Sequence, residues 1–273
     1  MQKYDMTSKR LPRPIALTIA GSDSGGGAGI QADLRTFAAF GVHGTCVITA
    51  LTAQNTRGVT AIHTPPLATL RAQLDAVLAD FRVGAIKIGM LATPGIAREV
   101  AAALTRHPRI PVVLDPVLVA TTGAKLASND LAGALQRHLL SRADLLTPNI
   151  PEAERLLERS IRTTGDMHDA AAALLEQGAR AVLLKGGHLA GNEVSDLLLT
   201  KAGEHWFHQR RIRGESHGTG CSLSSAIAAG IASGLSLEDA VEEAVGFVHR
   251  ALTLGYRPGK GALRVLDHLA AMH

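Results

Sequence analysis

The sequence contains few cysteines and few aromatic residues. Cys46 and Cys221 are the only cysteines among 273 residues, and aromatic residues make up 3% of the chain. The two cysteines lie far apart in the sequence and form no CxxC motif, so the sequence predicts neither a disulfide framework nor a cysteine zinc site. Free thiols are typical of a reducing compartment, and we expect this chain to be cytoplasmic.

Long apolar runs and clusters of like charge are also missing from the sequence. No stretch of about 18 consecutive apolar residues could span a bilayer, and residues 1–14 lack the apolar core of a signal peptide. The net charge is +4, but lysines and arginines are scattered along the chain. We therefore expect no nucleic-acid partner and no membrane, although a mildly basic chain can attract phosphates. Residues 1–13 are expected to form a loosely ordered tail.

The chain is rich in the small and aliphatic residues that build parallel sheets. Hydrophobic residues make up 46% of it and charged residues 19%, which is enough for a sizeable core. Strand-like and amphipathic segments alternate, which predicts an α/β fold with a mostly parallel central sheet and helices on both faces. We expect residues 14–273 to form one domain. The predicted strands are 14–20, 45–52, 59–63, 85–89, 111–115, 145–147, 181–185, 194–200 and 204–209, and the predicted helices are 30–40, 67–81, 96–106, 129–140, 152–158, 167–177, 219–233 and 237–254.

Glycines and polar residues recur where the predicted strands end. In an open parallel sheet, ligands bind just beyond the carboxyl ends of the strands. Because so many unusual stretches fall at this one edge, turns alone do not explain them, and we expect a binding site there. The stretches are 21–29, 54–55, 89–90, 115–116, 148–149, 185–188 and 217–221.

The segment 217–221, with the sequence His-Gly-Thr-Gly-Cys, is the most informative of these stretches. It directly precedes a predicted apolar helix, so its glycines expose backbone N–H groups where the helix dipole favours an anion. We expect this turn to bind a phosphate or to stabilise a transferring phosphoryl group. The same field should favour the thiolate of Cys221, which could take the proton of a substrate hydroxyl. The alternative is that Cys221 is a small buried helix residue.

Four further polar residues follow predicted strands. Asp115 can help to hold a magnesium ion, directly or through water. Lys185 can reach a nucleotide phosphate, or it can be an ordinary solvated lysine. Asn149 and Glu152 have the spacing of a helix capping box, and this role is compatible with a second one at the phosphates.

Two common nucleotide-binding patterns do not explain the site. The chain has no GxxxxGK[ST] P-loop, so a kinase function would not be of the Walker type. Residues 27–32 fit GxGxxA, but the second strand ends in Gln54 and Asn55 without the acid that a dinucleotide ribose requires. A dinucleotide-dependent oxidoreductase is therefore disfavoured.

Several segments together resemble the hydroxymethylpyrimidine/phosphomethylpyrimidine kinases of thiamine biosynthesis. The resemblance implies a ribokinase-like fold, a three-layer α/β/α sandwich, in a homodimer that uses ATP and Mg²⁺. It also implies phosphorylation of 4-amino-5-hydroxymethyl-2-methylpyrimidine, and then of its monophosphate to the diphosphate. The segments are 16–34, 47–56, 87–91, 113–117, 146–153, 184–188 and 217–221.

The same resemblance implies roles for individual residues. Cys221 would be the base, and Gln54 would pair with the aminopyrimidine through one donor and one acceptor, as amides pair with adenine. The other implied contacts are Gly218, Thr219 and Gly220 for the anion hole, Gly21, Ala28, Asp33, Met90 and Val117 for the pyrimidine, Lys185, Asn149 and Asp115 for the nucleotide phosphates, and Asp115 and Glu152 for the metal, directly or through water.

Two further alternatives remain open from the sequence. A pyridoxal or pyridoxine kinase can share the fold and the Gly-Thr-Gly-Cys turn, although Gln54 and Met90 favour the pyrimidine. A non-catalytic sensor of a vitamin precursor is a protein of a different class. It would need neither Cys221 nor Lys185, so their presence speaks against it.

Overall fold

A nine-stranded sheet forms the centre of the computed structural model, which describes residues 13–118 and 130–272. Within these residues the strand order is β3-β2-β1-β4-β5-β6-β7-β8-β9. Strands β1, β2, β4, β5, β6 and β7 run parallel, whereas β3, β8 and β9 are antiparallel to their neighbours. The strands are β1 (Ile15–Asp23), β2 (His43–Asn55), β3 (Gly58–His63), β4 (Ala85–Ile88), β5 (Val112–Leu114), β6 (Leu145–Leu146), β7 (Ala181–Leu184), β8 (Glu193–Thr200) and β9 (Gly203–Arg210).

Helices cover both faces of the sheet. One face carries α2 to α6, and the other carries α1, α7 and α8. The predicted three-layer α/β/α sandwich is confirmed. The helices are α1 (Gly29–Ala39), α2 (Leu67–Asp80), α3 (Pro94–Arg106), α4 (Leu131–His138), α5 (Ile150–Leu157), α6 (Thr164–Glu176), α7 (Thr219–Ala232) and α8 (Leu237–Thr253), and a separate pair of short strands, β10 (Ser216–His217) and β11 (Arg264–Val265), lies beside them.

The alternation of side chains along the strands builds two cores. On β1, Leu17 and Ile19 pack under α2 to α6, while Ala16 faces α1, α7 and α8. The layer on the second face is built from small residues such as Ala226 and Ala229 of α7, which are fully buried. Small side chains let α7 pack closely on α1, α8 and the middle of the sheet.

Most differences from the predicted elements occur at their ends. Helices α3, α5 and α6 begin two or three residues before the predicted starts, because Thr93, Asn149 and Thr163 cap them with side-chain oxygens. Strand β1 continues to Asp23 through the start of the predicted glycine loop, with a bulge against β2 after Ala20. The predicted tail 1–13, apart from its last residue, and residue 129 of the predicted 129–140 helix lie outside the described residues.

The chain crosses over at the centre of the sheet. It passes from β1 to β2 on one side and later returns to β4 on the other, so β1 and β4 flank a topological switch point. A crevice opens beyond the carboxyl ends of the strands at such a point, and ligands bind there in open α/β sheets. None of the helices in the described parts of the chain is both long and apolar enough to cross a membrane.

Candidate active site

A cavity of about 660 Å³ lies beyond the carboxyl ends of the central strands. The ends of β1, β4, β5, β6 and β7 contribute to it, and the first turn of α7 and the inner face of α8 close its sides. It contains almost all of the residues predicted from the sequence. The predicted residues that line it are Gly21, Ala28, Gln54, Met90, Asp115, Val117, Asn149, Glu152, Lys185, Gly218, Thr219, Gly220 and Cys221.

The glycine-rich loop after β1 is organised by Asp23. The backbone N–H groups of Gly25, Gly27 and Ala28 donate to its carboxylate at 2.8–2.9 Å. Burial by itself would raise the pKa of Asp23, but a hydrogen bond with His217 and the backbone donors outweigh it and lower that pKa. The loop is therefore held closed around an ionised carboxylate.

The start of α7 lies against this loop. Gly218 is the N-cap with φ of 85°, and a Cβ at this position would collide with the carbonyl of Gly27. The first-turn N–H groups have no intrahelical partners, and Thr219, Gly220 and Cys221 border the cavity. This geometry suits an anion, so the anion-hole prediction agrees with the local backbone.

The chemical state of Cys221 is set by burial and by nearby charges. Burial raises the pKa of its thiol to about 11, although Lys87 acts in the opposite direction and the Gly29 N–H donates a hydrogen bond to the sulfur. Desolvation outweighs the nearby positive charge for the thiol in this environment, and a reactive thiolate at Cys221 stays a prediction.

Asp115, Lys185 and Glu152 form a charged cluster at the ends of β5, β6 and β7. Lys185 Nζ lies 3.0 Å from Asp115 Oδ1, and both side chains are largely buried. Burial raises the pKa of Glu152 to about 7, with repulsion from Asp115 in the same direction and attraction by Lys185 against it. Gly220 faces the cluster, since a Cβ there would lie 3.1 Å from Lys185 Nζ.

The predicted capping box at α5 is confirmed. The Asn149 N–H donates to Glu152 Oε2 at 2.8 Å, and the Glu152 N–H donates to Asn149 Oδ1 at 2.9 Å. Both residues also line the cavity. The structural role and the predicted phosphate role are therefore compatible.

The cavity also contains an amide and an apolar wall. Gln54 Nε2 lies 2.7 Å from His217 Nε2, and Gln54 Oε1 accepts from the Thr52 hydroxyl at 3.1 Å. Met90 and Val117 pack in one small apolar cluster. Gly21 leaves room for Met90, because a Cβ there would lie 2.9 Å from the Met90 sulfur.

Asp33 differs from the other predicted site residues in its position. Its side chain is completely buried and does not line the cavity. The carboxylate is bound by Lys87 and by hydroxyls of Thr18 and Ser225. Asp33 lies on the face of α1 that packs on the sheet and α7, and its contact with a substrate stays a prediction.

Several polar residues of the cavity have no role assigned from the sequence, among them His217, Lys87 and Asp196. His217 lies in a recognised motif but had no assigned role, and Lys87 stands out as a charge between Ile86 and Ile88 in a buried strand. Asp196 accepts from the Gly186 N–H at 2.8 Å, and burial raises its pKa to about 6. The sequence gives no signal for Asp196, because a carboxylate on an antiparallel strand near the sheet edge is ordinarily solvated.

The sheet order, the anion-binding turn and the adjacent lysine–carboxylate cluster define a kinase of the ribokinase-like class. A family model described as phosphomethylpyrimidine kinase matches residues 23–266. The chain belongs to this family. It is 48% identical over 245 residues to a hydroxymethylpyrimidine/phosphomethylpyrimidine kinase of Rhizobium meliloti, a match that covers 89% of this chain and 92% of that protein.

Two other similarities place the chain in a wider context. It is 47% identical over 262 residues to a thiamine biosynthesis bifunctional protein of Geobacter sulfurreducens, covering 96% of this chain but only 54% of that protein. The pyridoxal kinase of Staphylococcus aureus, solved in complex with pyridoxal, superposes with a TM-score of 0.87 at 30% identity, over 95% of this chain and 94% of that one. The fold is thus shared with kinases for a different vitamin.

Proposed function

We propose that this protein transfers the γ-phosphoryl group of ATP to 4-amino-5-hydroxymethyl-2-methylpyrimidine, and then phosphorylates the monophosphate to the diphosphate, in thiamine biosynthesis. Family membership supports the reaction class. The observation that carries the proposal is that one cavity holds an anion-binding turn, a charged phosphate cluster and the amide of Gln54. Binding and phosphorylating a hydroxymethylpyrimidine or its monophosphate requires all three features.

The pyrimidine is assigned to the Gln54 end of the cavity. An aminopyrimidine presents a donor and an acceptor side by side, and an amide can pair with both. Met90 and Val117 supply apolar contacts for the ring. Asp33 contributes only indirectly, through the residues that it holds.

Proton removal from the first substrate is assigned to Cys221. Its thiolate takes the proton of the hydroxyl while the hydroxyl oxygen bonds to the γ-phosphorus of ATP. The bond from that phosphorus to the oxygen bridging it to the β-phosphate breaks, and ADP leaves. The proton passes from Cys221 to solvent, while the N–H groups of the α7 turn stabilise charge on the phosphoryl oxygens.

The nucleotide is assigned to the other half of the cavity. Lys185 and Asn149 lie at the ends of neighbouring strands, where they can meet its phosphates. An apolar wall from α8, made by Val245, Val248 and Leu252, is suited to a flat base. The Staphylococcus aureus pyridoxal kinase has been solved with AMP-PCP and pyridoxal, which supports ATP as the donor for this fold.

Asp115 and Glu152 fit a magnesium ion. They are buried carboxylates facing one cavity, where burial and, to a smaller extent, repulsion from Asp115 raise the pKa of Glu152. No group of three or more metal-binding side chains occurs among residues 13–118 and 130–272, and Mg²⁺ ordinarily takes one or two carboxylates with phosphate and water oxygens. When bound, Mg²⁺ would neutralise charge on the phosphates.

Two finer points are also part of the proposal. Leu51, Ile62 and Leu67 expose 49%, 40% and 37% of their surface on and near the β2–β3 hairpin, and exposed apolar side chains of this kind suit a homodimer interface. Both cysteines are free thiols, which supports the cytoplasm as the compartment.

The test is to identify the products formed from ATP, Mg²⁺ and an equimolar mixture of hydroxymethylpyrimidine and pyridoxal. We expect mass spectrometry to show the pyrimidine monophosphate and diphosphate. Pyridoxal phosphate alone would move the enzyme to vitamin B6 salvage, which the similarity to pyridoxal kinase makes the second candidate. A lack of both products would refute a kinase for either vitamin.

A further inference from the structure

An ion pair is buried in the centre of the second core, beneath the cavity. Lys87 and Asp33 are both completely buried, and Lys87 Nζ lies 2.9 Å from each carboxylate oxygen of Asp33. The hydroxyls of Thr18 and Ser225 donate to the same carboxylate at 2.6 and 2.8 Å. A buried ion pair is costly to desolvate and often adds little stability compared with apolar residues. Its presence therefore calls for a reason besides stability.

The position of the pair relative to α7 supplies that reason. Ser225 lies one helical turn after Cys221, so its hydrogen bond fixes Asp33 under the start of α7. Lys87 reaches the same region, since a Cβ on Gly89 would lie 2.8 Å from Lys87 Nζ and Lys87 contributes to the floor of the cavity beside Cys221.

We propose that Lys87, held in place by Asp33, is a positioning residue that puts one positive charge beneath the first turn of α7 and so favours the thiolate of Cys221. The inference rests on the proposed function, in which that thiolate takes the hydroxyl proton. Cys221 first loses its own proton to solvent, accepts the proton of the substrate, and returns it to solvent after transfer. Lys87 touches neither the substrate nor a transferred atom, and it acts through Cys221.

Charges from four elements act on Cys221. Lys87 on β4 is the strongest influence that lowers the pKa of the thiol, whereas Asp33 on α1 and Asp115 beyond β5 raise it. Lys185 beyond β7 also interacts with Cys221 electrostatically. Burial is the largest cause of the raised pKa, which is about 11 with all of these charges in place, and a cation held at a fixed place is the means available to offset the burial. Asp33 anchors Lys87, but the negative charge of Asp33 cancels part of the effect of Lys87 on the pKa of Cys221.

The test measures the thiol directly, without substrate. In a Cys46→Ser background Cys221 is the remaining cysteine, and its alkylation by iodoacetamide at about pH 8.5 reports the thiolate fraction. We expect Lys87→Met to slow alkylation about tenfold and Asp33→Asn to accelerate it about tenfold, a shift of about one pKa unit in each direction. Cys46→Ser/Cys221→Ser gives the background rate.

Thr18→Val is the matched control, because it removes a hydrogen bond from the same buried network without changing its charge. It should lower the free energy of unfolding and leave the alkylation rate unchanged within about twofold. The proposal would be overturned if Lys87→Met and Asp33→Asn changed the alkylation rate in the same direction, or if neither variant changed it. If Lys87→Met does not fold, Asp33→Asn alone serves as the test. An alkylation rate in Asp33→Asn no faster than that of the Cys46→Ser parent would then overturn the proposal.

The pH dependence of turnover completes the test. The profiles of the two charge variants should move in opposite directions, as the alkylation rates do. Opposite alkylation shifts with unchanged turnover profiles would overturn the link to catalysis. An error in the proposed function gives a different result: no phosphorylated pyrimidine would form, while the alkylation rates of the variants would still change as expected.

Discussion

At Cys221, burial and neighbouring charges act on one thiol in opposite directions. Desolvation dominates and raises the pKa to about 11, so most molecules carry the protonated thiol near neutral pH. The thiolate is then present in only a small fraction of the molecules, but it is a strong base because the pKa of the thiol is high. The residue is thus suited to a reaction in which positioning and charge stabilisation supply most of the acceleration.

Replacing the thiol separates binding from proton transfer. Cys221→Ala should lower kcat about a hundredfold or more while the affinity for the pyrimidine remains, because the contacts proposed for the ring are Gln54, Met90 and Val117 and do not include Cys221. Turnover assays and calorimetric titration measure the two effects. Normal turnover in this variant would remove the base assignment.

A carboxylate in place of the thiol should change the pH dependence. With the raised thiol pKa, wild-type turnover of the first substrate should rise between about pH 7 and pH 9, because the base ionises as pH increases. Cys221→Asp should shift this rise to lower pH, since an aspartate whose pKa is raised by burial still ionises well below the thiol. Initial rates across this range provide the check, and parallel slopes for the two enzymes would contradict it.

At the level of elements, the start of α7 depends on one glycine. Gly218 has a left-handed backbone and also no room for a Cβ against Gly27. Gly218→Ala should therefore lower the free energy of unfolding by about 3 kcal/mol or more and reduce turnover at least tenfold. Chemical denaturation and initial rates measure the two effects.

Gly234 provides the matched control for this glycine. Its φ is 93°, also left-handed, but nothing lies within 4 Å of its missing Cβ. Gly234→Ala should cost about 1 kcal/mol and leave turnover unchanged. Equal losses of activity in the two variants would show that backbone strain alone, and not the contact with the loop, matters.

The packing of α7 on the C-terminal segment makes stability depend on pH. His268 is buried, its Nε2 lies 2.8 Å from the Ser222 hydroxyl, and burial lowers its pKa to about 4. Because the unfolded value is higher, this contribution is present above about pH 6.5 and is lost as pH falls towards 4. In urea titrations, the difference in unfolding free energy between wild type and His268→Gln should shrink by about 3 kcal/mol between pH 7 and pH 4. A difference that is constant with pH would contradict this.

For the whole molecule, the exposed apolar side chains of the β2–β3 hairpin lead to a prediction of assembly. Ile62→Glu should convert the proposed homodimer to a monomer, whereas Leu254→Glu, at a similarly exposed apolar residue beyond α8, should leave it intact. Analytical ultracentrifugation of the variants and wild type distinguishes these states. A monomeric wild type would refute the proposed dimer.

The sequence predicts the architecture well because parallel strands and their helices have distinct periodicities. The position of the cavity follows from the strand ends, which is why residues such as Lys185 and Gly220 were found. The burial of Asp33 does not follow from the sequence, because a motif does not show which face of α1 packs inward. The raised pKa of Cys221 does not follow either, because desolvation depends on what surrounds a residue in space, and Asp196 is brought in by a hairpin that the site motifs do not include.

The contacts that hold the cavity together join distant parts of the chain. His217 and Asp23 are separated by 194 positions, and Ser225 and Asp33 by 192. During synthesis, Asp33 and Lys87 therefore leave the ribosome long before α7 exists to cover them. The growing chain must keep this pair hydrated, and the turn at the start of α7 forms late, once the last third of the protein has emerged.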